Sequence, residues 1–253
     1  MPQTHHLELA EGVLVKTFSS WDRGEHRREW TVLQLLSSHI SHLVPRPIDC
    51  DLEANPPWVS MTRLPGQPLT GKLTAAQLTG LESALRQMWA VPARQLPPRR
   101  YSRAEAYALG EAWFAQAVRP PGIAGQAVDA VRAFLREPPL PESGEAICGH
   151  SDPNLANYLW DGERVRIVDF EDAGRSDVAY ELATLIEHLS ARDTDWTGFV
   201  ARCDVDAQSL RHGRILVGML WLNLLLPGNK AHQRNPPGTL EAQARRLLDL
   251  IAG

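Results

Sequence analysis

Hydrophobic and polar positions divide the chain into a short strand-patterned beginning and a long helix-patterned remainder. Leu7 to Ala10 and Val13 to Phe18 alternate around Glu11-Gly12, the pattern of a β-hairpin, with Leu14, Lys16 and Phe18 on one face. Glu25 to Ser38 has an apolar stripe of Trp30, Leu33, Leu36 and Ile40 at helical spacing. Val44-Pro-Arg-Pro47 and Pro56-Pro57 read as punctuation, and Trp58 to Met61 as the last strand of this part. Beyond it, Leu78, Leu81, Leu85 and Met88 follow a Thr74-x-x-Gln77 capping box, and a second helix opens at Ser102-x-x-Glu105. Further helices are predicted near Ile123 to Leu135, Asp177 to Ser190, Asp206 to Leu226 and Thr239 to Ile251. Trp113 and Phe114 are suited to stacking on a ligand or, as aromatics at helical spacing more commonly are, to a core.

One segment breaks the helical pattern. Ala146 to Cys148 is a short apolar strand that runs into His150-Ser151-Asp152-Pro153-Asn154 and then into a second hairpin. Asn157 to Trp160 and Val165 to Asp169 flank Asp161-Gly162, and if Asp161 to Arg164 form the loop, Trp160 faces Val165 and Asn157 faces Val168. That register sets the Asn157 amide beside the Asp169 carboxylate, two hard oxygen donors suited to Mg²⁺. Asp152 stands before the hairpin in an irregular loop, free to approach a substrate hydroxyl. Taken singly, each residue is an ordinary turn, cap or strand-end residue. Together, His150, Asp152, Asn157 and Asp169 keep the order and spacing of a phosphoryl-transfer loop, in which one Asp accepts a hydroxyl proton while an Asn and a second Asp hold metal.

The run from His150 to Leu189 resembles the aminoglycoside phosphotransferase family, small-molecule kinases of the protein-kinase-like fold. Ser151 stands where protein kinases have Arg, and Val168-Asp169-Phe170-Glu171, Gly174, Asp177 and Glu181-Leu182-Ala183 follow the family pattern. The resemblance implies an α+β bilobal fold, with a reduced strand-rich lobe over residues 1–62 and a larger helical lobe over 63–253. It implies ATP or GTP as phosphoryl donor, Mg²⁺, and a hydroxyl of a small molecule as acceptor. Asp152 takes the role of base, with His150 in the same catalytic loop; Asn157 and Asp169 hold metal, and Glu171 stands behind it. Lys16 reaches nucleotide phosphates, oriented by Glu29, for which Glu25 one turn earlier is the rival. The backbone near Ser60, Met61 and Arg63 meets the purine edge. His150 and Asp177 brace the loop, Asp177 through bonds to its backbone. These kinases usually open with two strands under a glycine-rich loop, whereas the dozen or so residues before Lys16 suffice for a single strand of ~5–6 residues, so the lid is expected to be missing or severely reduced.

Composition narrows the rest. Across 253 residues the net charge is −4, with no basic footprint for nucleic acid. Cys50, Cys148 and Cys203 are far apart and lack disulfide or zinc spacing, which fits a reducing cytoplasm. The opening residues lack a leader pattern, and the most apolar stretch, Ile215 to Leu226, is too short to span a bilayer. Residues 181–206 carry Glu181, Glu187, Asp193, Asp195, Asp204 and Asp206 against Arg192 and Arg202. This is either a solvated acidic surface or an acidic wall favouring an amine-bearing acceptor such as an aminoglycoside. A nucleoside-type or macrolide antibiotic is the next choice, and sugar or amino-alcohol metabolites stay open. A kinase-like binding protein without turnover and a hydrolase using His150, Asp152 and Asp169 are the other classes, the latter lacking a completing ligand set.

Overall fold

The computed structural model describes residues 5–140 and 144–253; the first residues, where no leader is expected, lie outside it. Strands β1 (His6–Ala10) and β2 (Val13–Thr17) form the expected hairpin, with Leu7 opposite Lys16. Glu11 and Gly12 turn it with φ of 38° and 85°, the two-residue geometry whose twist matches that of its strands. Helix α1 (Glu25–Ile40) then lays Val32, Leu33, Leu36 and Ile40 into the core. Strands β3 (Pro47–Asp51) and β4 (Trp58–Thr62) complete an antiparallel sheet of order β1-β2-β4-β3.

Strand β3 lies between the two punctuating stretches, where the sequence pattern predicts no element. It lies at the sheet edge, starts at Pro47 and exposes Ile48, Asp49 and Asp51, so it carries no apolar alternation, and Ile48 is its one residue of a type that favours strands. The sheet is therefore less reduced than expected. The described residues before Lys16 supply one strand besides its own.

The two-residue strand β5 (Gln67–Pro68) connects the sheet to the rest of the chain by pairing with the catalytic hairpin. Helix α2 (Ala75–Trp89) has the reciprocal cap between Thr74 and Gln77 that its sequence predicts. Helix α3 (Arg103–Gln116) is capped by Ser102, and α4 (Gly122–Phe134) follows. Phe114 is fully buried and Trp113 packs against the same core, so these aromatics are structural.

Strand β6 (Ile147–Gly149) leads into the catalytic loop, and β7 (Tyr158–Trp160) pairs with β8 (Val165–Ile167). Trp160 faces Val165, and the Val168 N–H donates to the Asn157 carbonyl at 3.0 Å, the predicted register. Strand β9 (Gly174–Ser176) returns beside β6 and leads into α5 (Val178–Glu187), which Asp177 caps. The short α6 (Thr197–Ala201), the long α7 (Ala207–Leu225), the short α8 (Lys230–Arg234) and α9 (Thr239–Ala252) close the chain. The apolar stretch from Ile215 forms the second half of α7, buried between α5 and α9 through Leu216, Met219 and Leu222. No helix among the described residues is long and apolar enough to cross a membrane.

Close backbone approach holds the β6–β9 ribbon against the Pro97–Arg99 loop, where the Arg175 N–H donates to the Pro97 carbonyl at 2.8 Å and the Arg99 N–H to the Arg175 carbonyl at 3.0 Å. A Cβ at Gly174 would lie 2.6 Å from the Pro97 oxygen and 2.7 Å from the Arg99 nitrogen, both backbone atoms. Gly174→Ala is thus expected to lower stability by about 1–3 kcal/mol, the usual cost of overpacking. Urea unfolding of the variant checks this; an unchanged midpoint would show that the ribbon can move away from the loop.

Candidate active site

Three elements bring charge to one point between the sheet and the helices. Strand β2 supplies Lys16, α1 supplies Glu29, and the turn after β8 supplies Asp169 and Glu171. The Lys16 Nζ donates to Glu29 Oε2 at 2.7 Å, to Asp169 Oδ1 at 2.6 Å and to Glu171 Oε2 at 2.8 Å. Glu25 turns instead to Arg23, so Glu29 is the residue that pairs with Lys16. The second Glu29 oxygen accepts the Phe170 N–H at 3.4 Å, tying α1 to the backbone next to Asp169.

One ammonium shared by three carboxylates leaves excess negative charge. Burial works against the Lys16 charge, but Glu29, Asp169 and Glu171 outweigh it and hold its pKa well above the ordinary value. Burial, with Asp169 and Glu171 as neighbours, pushes Glu29 up to about 6 despite Lys16. Burial also opposes ionisation of Glu171, yet His5 and Lys16 hold it down to about 2; His5 Nε2 lies 2.7 Å from Glu171 Oε2. Oxygens of Glu29, Asp169 and Glu171 converge within 4.8 Å of one another, and the Asp169 side chain is 37% exposed. A hard-oxygen cluster of this kind, open at Asp169, fits Mg²⁺.

Asp152 lies on the other side of the loop. Its Oδ2 accepts the Asn157 Nδ2–H at 3.1 Å and its carbonyl accepts the same amide at 3.0 Å, which leaves the Asn157 oxygen as a further hard donor. The Asp152 side chain is 41% exposed, open to a substrate. Its pKa is raised, first by partial withdrawal from water and then by the charge of Asp169, against the opposing pull of His150.

The loop is held from behind. His150 is buried, and its Nε2 lies 2.8 Å from the Val168 carbonyl, so the ring ties the loop to the strand end before Asp169 and does not reach a substrate. Asp177, expected to bond the loop backbone, instead caps α5 through the Tyr180 N–H and pairs with Arg103, whose Nε donates at 2.8 Å. The loop amides of His150 and Ser151 donate to Glu181 Oε2 at 2.9 and 3.4 Å. Arg99 completes this brace by pairing with Glu181 and donating to the Ser151 carbonyl at 3.1 Å. Ser151 and Asp169 have φ of 73° and 70°, the left-handed region that non-glycine residues seldom adopt and that clusters at functional loops.

The acidic wall expected on residues 181–206 does not form as a unit, and Asp206 caps α7 through the Ser209 N–H at 2.6 Å. Glu181 is buried under the loop, and Glu187 is fully buried between Arg214 and Arg246. Asp193 and Asp195 are exposed, Asp195 accepting the Thr197 N–H at 2.9 Å. At the connection to the sheet, Ser60 and Met61 are buried in central strand β4, between β2 and β3. The Arg63 side chain is exposed, and its N–H already donates to the Gly12 carbonyl at 2.7 Å.

A family model described as the phosphotransferase enzyme family matches residues 6–212. No curated protein matches the chain significantly in sequence. Among solved structures, a choline/ethanolamine kinase family protein from Mesorhizobium loti is similar at 17% identity, with a TM-score of 0.67 over 100% of this chain and 85% of that one. Choline kinase LicA from Streptococcus pneumoniae is similar at 16% identity and TM-score 0.65, over 98% of this chain and 89% of the other. The GDP complex of aminoglycoside 2'-phosphotransferase-IIIa gives 15% identity and TM-score 0.66, over 98% and 89%. The fold is thus protein-kinase-like, with the helical part the larger.

The charge cluster makes a test independent of turnover. In Lys16→Met the three carboxylates lose their shared cation, which raises their folded pKa values above the unfolded ones. Their protonated forms are then favoured in the folded state, so the stability deficit is small below the ordinary carboxylate range and grows as pH rises through the raised values. A loss of about 3 kcal/mol is expected at pH 8, of the size seen when one partner of a buried pair is removed, and a clearly smaller one at pH 5. Thermal unfolding at both pH values checks it; an equal drop in Tm at each would contradict the shared-cation account.

Proposed function

Because the chain belongs to the phosphotransferase enzyme family, we propose that it transfers the γ-phosphoryl group of ATP or GTP, with Mg²⁺, to a hydroxyl of a small molecule, an antibiotic or a related metabolite. The observation that carries this reading is the Lys16 ammonium held between Glu29 and Asp169, with the open Asp152 carboxylate on the loop beside them. Lys16 draws the nucleotide phosphates in, and Glu29 orients it from α1. Asp169 and the Asn157 amide oxygen hold the metal, with Glu171 beside them. Bound Mg²⁺ supplies positive charge to the phosphate oxygens as the phosphoryl group transfers. Asp152 takes the acceptor's hydroxyl proton as the new O–P bond forms and the bond to the nucleoside diphosphate breaks. Glu181, Arg99 and His150 hold the loop so that Asp152 needs no rearrangement.

The division into an N-terminal lobe over 1–62 and a C-terminal lobe over 63–253 suits this reading, since the proposed site lies where the two meet. The solved relatives include choline kinases and an enzyme crystallised with hygromycin B and ADP, acceptors of different chemistry. With Glu181 and Glu187 engaged internally, the case for an aminoglycoside rests on the exposed Asp193, Asp195, Asp204 and Asp206, and a hydroxylated acceptor without a required amine fits as well. A binding protein without turnover is the other class that the sequence leaves open. Acceptor-dependent ADP or GDP formation across hydroxylated antibiotics and metabolites separates the two.

Asp152→Asn and Asp169→Asn are each expected to lower turnover by about 10²-fold or more, the first through lost proton acceptance and the second through a lost anionic metal ligand. Raised Mg²⁺ should partly restore Asn157→Ala and leave Asp152→Asn inactive. Initial rates across a magnesium series check the assignment, and equal rescue of both would contradict it. The raised Asp152 pKa also places the acid limb of kcat/KM above the ordinary aspartate value of ~3.9, because the base must be ionised to act. A limb at or below that value would remove Asp152 from the role.

A further inference from the structure

A histidine on the open side of Asp152 has no part in the chemistry described so far. His188 follows α5, and its Nε2 lies 3.9 Å from Asp152 Oδ1, with 11% of its side chain exposed. Its other nitrogen is doubly engaged. The Ser190 N–H donates to Nδ1 at 3.2 Å, and the Ser190 hydroxyl lies 2.8 Å from the same atom. That hydroxyl accepts the Leu155 N–H at 3.0 Å, which leaves its own proton for Nδ1. Trp221 of α7 packs edge-on to the imidazole, with centroids 5.2 Å apart. Since Leu155 lies three residues beyond Asp152, Ser190 fastens the histidine to the loop that carries the base.

These contacts determine what Nε2 offers. A neutral imidazole whose Nδ1 accepts hydrogen bonds carries its proton on Nε2. Burial, helped by the positive charge of Arg192, lowers the His188 pKa to about 4, so the ring is an uncharged donor at neutral pH. At 3.9 Å its Nε2–H is too far from Asp152 for a direct hydrogen bond. An oxygen about 2.8 Å from both atoms would subtend an angle of roughly 90°, open to a hydroxyl that donates to Asp152 and accepts from His188.

Resting on the phosphotransferase reading, we propose that His188 is a positioning residue for the acceptor. Its Nε2–H holds one lone pair of the hydroxyl whose proton Asp152 takes, leaving the other lone pair to attack phosphorus. The arrangement also bears on the acceptor class. Apart from Asp152, which takes the proton, and Asp169, the proposed metal ligand whose charge reaches Asp152, the groups beside the reacting hydroxyl are an uncharged donor and, close to it, Arg192, while Glu181 and Glu187 are engaged internally. This wall suits a hydroxyl on a neutral, oxygen-rich frame, such as a sugar, a polyol or a nucleoside. It does not suit an amino alcohol whose ammonium adjoins the reacting carbon.

Two substitutions separate positioning from scaffolding. Asn at 188 keeps an oxygen where Nδ1 accepts from Ser190 but cannot reach the Nε2 position, whereas Gln at 188 carries an amide N–H near Nε2. Nucleoside diphosphate formation from MgATP and from MgGTP is measured for wild type, His188→Asn and His188→Gln, with water alone and with uridine, myo-inositol, ethanolamine and choline. His188→Asn is expected to lose about tenfold in kcat for whichever acceptor turns over, water included, with the KM for ATP unchanged. His188→Gln should stay within about threefold of wild type. The neutral acceptors should outperform ethanolamine and choline. Wild-type rates in His188→Asn, or a greater loss in His188→Gln than in His188→Asn, would overturn the positioning role. Preferential turnover of the amino alcohols would overturn the acceptor class, and both results would leave the phosphotransferase reading intact. No ADP or GDP formation by wild type under any condition, water included, would overturn that reading and this inference with it.

Discussion

The Lys16 ammonium, shared by Glu29, Asp169 and Glu171, is the interaction on which the site depends. It joins a strand, a helix and the catalytic hairpin that lie up to 155 residues apart in sequence. A buried carboxylate cluster with one ammonium is costly as a scaffold, because each charge gives up water and the cation cannot neutralise all its partners. The arrangement is instead suited to receiving cations and phosphate. When Lys16 turns toward phosphate, Glu171 keeps His5, and Asp169, the most open of the three carboxylates, can take up metal.

Rigidity is concentrated on the side of Asp152. Glu181 holds two loop amides, Arg99 holds Glu181 and the Ser151 carbonyl, and His150 ties the loop to Val168. Gly149 lets this brace close, since a Cβ there would collide with the Glu181 carboxylate and the Ser176 side chain. The left-handed backbone at Ser151 and Asp169 is maintained by the same contacts, so the strain sits at the residues flanking the reaction centre.

What the sequence made legible follows from the range of each interaction. The β7–β8 hairpin, its register and the Thr74 and Ser102 caps depend on residues a few positions apart, and they appear as expected. Lys16 and Glu29 were legible through the family resemblance, since periodicity alone leaves Glu25 and Glu29 on the same side of α1 and both are buried. The Arg99–Glu181 and Arg103–Asp177 pairs were not, since their partners lie 82 and 74 residues away and neither arginine belongs to a periodic pattern that marks it as buried. Glu187 misled for a related reason. A charged residue on an amphipathic helix normally faces water, and only the approach of Arg214 from α7 and Arg246 from α9 makes its full burial tolerable. Strand β3 was hidden by its edge position, where proline and aspartate are protective and carry no strand signal.

The central claim is that the Lys16 cluster is a metal–nucleotide site. Calorimetric titration with ADP, with and without Mg²⁺, in wild type and Asp169→Asn, tests it most directly. The account predicts binding by wild type that tightens at least about tenfold, or 1.4 kcal/mol, when Mg²⁺ is present, and no such gain in Asp169→Asn. Equal affinity with and without Mg²⁺, unaltered by Asp169→Asn, would contradict it.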